Sequence, residues 1–202
     1  MFIPWHFPLH TDSTIQGASE KAEQAFKEQY PAIYNHLIKY KADLSNRNKA
    51  ETGIRYEWYA LQRWGTNYWE DFYRQKIVWG EISDKSKFVL DETGFFPEAT
   101  TFLMVGDNLK YLLAMLNSKL GEWLFSQIGT TTGVGTTRWK KYTLEQFLVK
   151  VPTDQELEEI EKQTEAVIQS TTQENIAVLD CLIYSLYNLS ITEQEYLEKF
   201  LE

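Results

Sequence analysis

The sequence predicts an α+β fold: a twisted, mostly antiparallel sheet with packed helices, followed by a C-terminal helical region. Three observations carry this. Between Lys76 and Val105, three short β-rich runs (Ile77 to Trp79, Phe88 to Leu90, Thr100 to Val105) are separated by Asp84, Asp91 and Gly94, as short antiparallel strands are. From Asn108 to Phe125 the apolar residues Leu109, Leu112, Leu113, Leu116, Leu120, Trp123 and Leu124 return to helical spacing, which gives one helix enough apolar surface to lie across that sheet. Past Pro152 the spacing is helical again, and elements in such blocks point to α+β rather than to alternating β-α units.

The other elements follow in chain order. Residues 1–17, with Pro4, Pro8 and Gly17 and no steady period, read as an extended arm that continues from something else. Ala22, Ala25 and Phe26 then recur at helical spacing, and Pro31 stands where a first helical turn tolerates proline, ahead of Ile33, Leu37, Tyr40 and Leu44; two helices in series fit. Ser45 to Gly53 is polar and breaks the pattern, so it reads as a loop. Tyr56 to Trp69 is dense in aromatics and reads as partly helical. Gly129 to Gly135 is a small-residue loop, able to approach a ligand closely, that runs straight into Arg138, Trp139, Lys140 and Lys141. A capping box of Thr153 and Glu156 starts a helix through Leu157, Ile160, Thr164, Val167 and Thr171. A second series runs through Ile176, Leu179, Ile183 and Leu186, and Thr192 with Glu195 caps a last short helix.

Composition narrows the function. The 202 residues are 43% hydrophobic and 15% aromatic, enough for a core and against disorder. No run reaches the roughly 18 apolar residues of a membrane helix, and residues 1 to 6 lack a secretory leader's charged start and apolar stretch, so a soluble, cytoplasmic protein is expected. Cys181 is the single cysteine, and with His6, His10 and His36 it makes no metal-ligand set; no structural zinc is expected. The net charge of −9 argues at first against nucleic acid, but residues 153 to 202 hold twelve acidic and two basic groups, a net of −10, which leaves the first 152 residues at +1. Two basic stretches stand out there: Lys39, Lys41, Arg47, Lys49, Arg55 and Arg63, interrupted by three acids, and Arg138, Lys140 and Lys141, with none among them. These nine residues are the candidate phosphate and base contacts, weighed against the plain alternative of solvated faces. Trp139 can stack on a ligand or pack inside, the aromatics from Tyr56 to Trp69 read mostly as core, and Asn117 reads as a structural hydrogen-bonding residue.

Catalytic signatures are missing. The chain contains no Gly-Lys pair for a triphosphate-binding loop, no GxSxG, HExxH or GxGxxG, no lysine with an acid two positions before it as in common metal nucleases, and no Asn-Pro-Pro-aromatic run of adenine methyltransferases. No catalytic, cofactor-binding or metal-binding residue is assigned, and no enzyme activity is expected of this chain.

Several stretches, taken in order, resemble a known family: Phe2 to Leu9, Tyr30 to Tyr34, Arg55 to Trp64, Lys76 to Gly80, Lys110 to Ser118, and Leu179 to Leu189. Together they are similar to the TaqI-like C-terminal specificity region of type II restriction enzymes that fuse methyltransferase, nuclease and recognition parts, and to type I specificity subunits. The run Asp180, Cys181, Leu182, Ile183, Tyr184, Ser185, Leu186, Tyr187 matches the family's closing Asp-x-x-Val-Tyr-x-Leu-Tyr, with Ile183 in place of valine. The resemblance implies a domain that reads a short sequence in the major groove of double-stranded DNA. The methyltransferase and nuclease domains, with their S-adenosylmethionine and divalent metal, would lie outside this chain, which is then a piece of a longer enzyme or a free-standing specificity subunit. The implied organisation is an N-terminal arm and linking helices over 1–38, a target-recognition domain over 39–151, and a C-terminal helical region over 152–202 that docks on the partner domains through its acidic face. Two rivals stay open. One is a protein-interaction module with acidic C-terminal helices and no DNA contact; the other is a small enzyme gathering Glu81, Asp84 and Asp107 around a base.

Overall fold

The computed structural model describes residues 20–46, 58–59, 69–98, 100–133 and 135–200, in two compact units, residues 1–69 and 70–202. In the first unit, helix α1 (Glu20–Gln29) is followed by α2 (Pro31–Leu37), a 3-10 turn (Ile38–Tyr40) and α3 (Lys41–Ser45), so the two predicted helices in series are present, with Pro31 opening the second. Their apolar faces close on an aromatic cluster. Phe26, fully buried, meets Tyr59 at a ring-centroid distance of 4.4 Å, and Ile33, Leu37 and Leu44 pack around the group. Of the aromatic stretch read as partly helical, Trp58, Tyr59 and Trp69 are described; the proposed arm over 1–17 and most of the polar loop lie outside the described residues.

The second unit is α+β with antiparallel strands, in two three-stranded sheets where the sequence suggested one. The first has the order β3-β1-β4, with β1 (Lys76–Gly80) central between β3 (Val89–Asp91) and β4 (Thr101–Met104); Val78 lies opposite both Val89 and Leu103. The second has the order β2-β6-β5, with β6 (Thr137–Arg138) central between β2 (Ile82–Ser83) and β5 (Thr130–Thr131). Glu81 joins them. Its N–H donates to the Thr100 carbonyl (3.1 Å) and its carbonyl accepts from the Trp139 N–H (2.7 Å), so one residue ends β1 in one sheet and starts β2 in the other.

The first sheet is fixed by a buried ion pair. The ammonium of Lys76, fully buried, donates to Asp91 Oδ2 (2.5 Å) and to the Phe72 carbonyl (2.7 Å). Asp91 also accepts from the Thr93 N–H, the Thr93 hydroxyl and the Phe95 N–H. Burial pushes this carboxyl up, but the Lys76 ammonium and the Thr93 and Phe95 donors outweigh it and hold the group well below the usual carboxylate range.

The segment expected to form one helix from Asn108 to Phe125 is two, α4 (Leu109–Asn117) and α5 (Lys119–Ile128), broken at Ser118. Ser118 takes an extended conformation as the N-cap of α5; its oxygen accepts from the Gly121 N–H (3.0 Å) and its hydroxyl donates to the Met115 carbonyl (2.8 Å). The corner needs a glycine, since a Cβ on Gly121 would stand 2.0 Å from the Met115 oxygen. Helix α4 is buried on both sides: Leu109, Leu113 and Leu116 join Ile77, Trp79 and Phe125 beneath the strands, while Tyr111, Ala114 and Met115 join the C-terminal helices. Asn117 has the structural role expected of it, pairing through its side-chain amide with the Phe88 N–H (3.0 Å) and carbonyl (2.8 Å) as a neighbouring strand would.

After a short α6 (Lys141–Leu144), the C-terminal region is three helices, α7 (Asp154–Gln169), α8 (Gln173–Leu186) and α9 (Ile191–Phe200). The Thr153–Glu156 capping box is formed, and α7 ends at Gln169, ahead of Thr171. The last cap is two residues earlier than expected. Ser190 and Glu193 make the reciprocal bonds, because the chain turns at Asn188, which sits in the left-handed region with φ 55°. The Asp-x-x-Ile-Tyr-x-Leu-Tyr run now has a physical account. Asp180 Oδ1 accepts the Lys119 N–H at the start of α5 (3.0 Å), Ile183 is fully buried, Tyr184 donates to Glu198 (3.0 Å), and the Tyr187 oxygen accepts the Lys150 N–H (2.9 Å).

Candidate nucleic-acid interface

The second sheet carries one of the two basic stretches. Directly opposed residues of antiparallel strands project from the same face, so the pairings of Arg138 with Ile82 and with Thr130 set Ile82, Arg138 and Thr130 in one row across all three strands. That row is open: Ile82 is 55% exposed, the Arg138 side chain 41%, and Thr130 is exposed. Side chains along a strand alternate, and the next residue, Trp139, is buried, its ring stacked on Phe125 at 3.8 Å and its carbonyl accepting from Trp79 Nε1 at 2.8 Å. Of the two readings for Trp139, packing is the one observed. Buried Trp139 anchors the end of β6 and leaves the guanidinium before it and the ammonium after it at the surface.

Beyond the row, β5 and β6 are joined through Gly133 and Gly135, both in the left-handed region (φ 83° and 79°), where nothing within 4 Å would meet an added Cβ. Both glycines therefore have open space where a side chain would be, and their φ values explain the choice of residue. Thr132 and Thr136 close its base through the Thr132 N–H to Thr136 carbonyl bond (2.9 Å).

The cations are not bare charges. Arg138 pairs with Glu81 (3.1 Å) and Lys141 with Glu145 (3.5 Å), while Lys140 lies 5.6 Å from the Tyr142 ring centre. The stretch free of acids in sequence thus meets two carboxylates in space. Glu81 is the functional candidate that sequence reasoning placed elsewhere; it stands 57 residues from Arg138, and only the sheet register brings the two together. Lys141, Leu144 and Glu145 also line a pocket of about 280 Å³ with Trp79, Leu103 and Met104.

The other basic stretch is only partly described. Lys39 is exposed in the 3-10 turn, whereas Lys41 pairs with Glu23 (2.9 Å) and lies 5.2 Å from the Trp58 ring centre. Burial pushes the Glu23 carboxyl up, but Lys41, Trp58 and Tyr34 bring it below its ordinary value, which makes Lys41 part of a packed polar cluster. Arg47, Lys49, Arg55 and Arg63 lie outside the described residues. Among the described residues no three of His, Cys, Asp or Glu gather to hold a metal ion, and Glu81 and Asp84 take Arg138 and Lys87 as partners. No helix among them is long and apolar enough to cross a membrane.

Comparison with known families matches residues 20–149 to the TaqI-like C-terminal specificity domain, well over half of the chain. The chain belongs to this family. The match takes in the described part of the first unit, both sheets, α4, α5 and the whole Arg138 stretch; it stops before α7, so the three C-terminal helices lie beyond it. A search of curated proteins returned no match. Membership of the specificity domain family agrees with the resemblance drawn from Lys76 to Gly80 and Lys110 to Ser118, whose structural roles are the Lys76–Asp91 pair and the Asn117–Ser118 corner.

Proposed function

We propose that this chain reads a DNA target for a restriction-modification enzyme, through the open face of the β2-β6-β5 sheet. The observation that supports the reading most is the exposed row of Ile82, Arg138 and Thr130 beside Lys140 and Lys141, in a chain of the specificity domain family. The row combines the three kinds of group that distinguish base edges: an arginine fork for guanine O6 and N7, an apolar surface for the thymine methyl, and a hydroxyl that serves either. Lys140 and Lys141, a few residues on, supply charge for phosphates, which fix register without reading sequence. In this reading Lys39, Lys41, Arg47, Lys49, Arg55 and Arg63 are additional phosphate contacts. The case for Lys41 is weakened because its ammonium is already engaged by Glu23.

The chain contributes binding energy and specificity and makes no bond. Adenine methylation and cleavage, with S-adenosylmethionine and a divalent metal, belong to partner domains in the same cytoplasmic enzyme. The acidic helices α7 to α9 are a poor surface for phosphates and are assigned to contacts with those domains.

The test is binding of the 202-residue chain to random-sequence duplex DNA over a salt series, against the triple variant Arg138→Ala, Lys140→Ala, Lys141→Ala. Removing one cation from a phosphate should flatten the dependence of log K on log salt by about 0.9, so a slope shallower by roughly 1 to 3 is expected for the triple variant. Equal slopes and affinities would remove this face from the interface.

A further inference from the structure

Glu81 is not one of the candidate contacts, yet its backbone and its side chain are both held beside them. Its backbone is tied on both sides, through Thr100 in one sheet and Trp139 in the other. Arg138 is equally constrained, paired in register with Ile82 on one side and Thr130 on the other. The carboxylate and the guanidinium, 3.1 Å apart, are therefore brought together by rigid backbone rather than by the reach of two flexible side chains. The Arg138 and Glu81 side chains are 41% and 33% exposed, so water and a ligand can reach the pair, and neither group is desolvated enough for the ion pair to be costly to open.

Resting on the DNA-recognition reading, we infer that Glu81 is a specificity-determining residue: it occupies the guanidinium of Arg138 until a target presents better acceptors. A phosphate or a poorly placed base edge offers Arg138 little more than the carboxylate already does, and brings its own charge against Glu81. A guanine edge in the right register offers two acceptors to the fork and no net charge, so it replaces Glu81 at small cost. The carboxylate thus weakens binding to arbitrary sequence more than binding to the target. Such a device raises specificity through repulsion of the wrong partner, not through added attraction for the right one.

The experiment is a double-mutant cycle on random-sequence duplex DNA with the full chain: wild type, Glu81→Gln, Arg138→Ala and the double variant, each across a salt series. Glutamine keeps the size of the side chain and removes its charge, and the backbone bonds that join the two sheets do not depend on it. A half-exposed pair holds Arg138 with the strength of a surface ion pair, so Glu81→Gln should tighten binding by about 2- to 5-fold and steepen the salt slope by about 1. The effect should vanish in the Arg138→Ala background. Glu159→Gln, a charge change on α7, serves as the control for net charge alone. Unchanged affinity in Glu81→Gln, or the same tightening with Arg138 absent or in the Glu159 control, would overturn the inference while leaving the recognition reading intact. Absence of all DNA binding by the wild-type chain at low salt would instead overturn the recognition reading.

Discussion

The two sheets of the second unit are built from adjacent stretches of chain, yet they handle charge in opposite ways. In the β3-β1-β4 sheet the central strand begins at Lys76, whose ammonium is fully buried against Asp91 and two carbonyls. In the β2-β6-β5 sheet the central strand holds Arg138, whose guanidinium meets one carboxylate at the surface and keeps most of its donors for something else. A cation saturated in the interior specifies structure; a cation half-satisfied at the surface, on short strands beside a buried tryptophan, is the kind of group the proposed DNA face requires. Glu81 links the two sheets through its backbone N–H and carbonyl.

The comparison breaks most severely at Lys76. Lys76→Met leaves Asp91 buried without its counter-charge and removes the ammonium's hydrogen bond to the Phe72 carbonyl. The expected destabilisation is about 3–5 kcal/mol, a fall in the unfolding midpoint on the order of 10 °C, measured by calorimetry or circular dichroism. Because the Asp91 carboxyl sits below its ordinary value, its contribution is present at neutral pH and is lost only in acid, so the midpoint of the wild type should hold down to about pH 4 as far as this pair is concerned.

A smaller effect of the opposite sign is expected at Asp180, in α8. Burial pushes this carboxyl up to about 6, against the opposing pull of the Lys119 N–H and ammonium, and Oδ2 accepts no hydrogen bond from the described residues. A carboxyl raised in the folded state opposes folding where it is ionised, above about pH 6, and the opposition is relieved as the pH falls toward its unfolded value. Asp180→Asn keeps an acceptor for Lys119 and removes the charge. It should therefore stabilise the chain by about 1–2 kcal/mol at about pH 8, with the gain gone at about pH 4. A destabilised variant at the higher pH would show that the charge is compensated.

At the surface sheet, stability should hardly respond. The triple alanine variant that flattens the salt dependence should leave the unfolding midpoint of the chain within a degree or two of the wild type, because half-exposed ion pairs contribute little.

How much of this was legible in the sequence follows from the range of each interaction. The strands β1, β3 and β4, the Thr153–Glu156 capping box and the apolar faces of α4 and α7 are local patterns, and they emerged where the residues put them, whereas β2 and β6 were not anticipated and β5 (Thr130–Thr131) lies inside the stretch read as a small-residue loop. The break at Ser118 was missed because leucine spacing continues across it; the signal was there in the pair Ser118 and Gly121, a cap followed three residues later by the one residue without a Cβ. The division into two sheets depends on the turn at Glu81, directly after Gly80, which closes β1 and does not stand out in the sequence as a break between two sheets. The partners of Arg138 and Lys76 are 57 and 15 residues away, and no local pattern encodes them. Family resemblance supplied what the pattern could not: the likeness of the Lys76 to Gly80 and Leu179 to Leu189 runs was visible before there was a physical reason for either.

Whether the Arg138 sheet is the DNA face can be read from the backbone amide resonances of the 15N-labelled chain while random-sequence duplex DNA is added at low salt. Amides of residues 81–83, 130–133 and 137–141 are expected to shift together, while those of α7 to α9 stay in place. Shifts concentrated on α7 to α9, or an unchanged spectrum at the Arg138 sheet while other residues respond, would contradict that assignment.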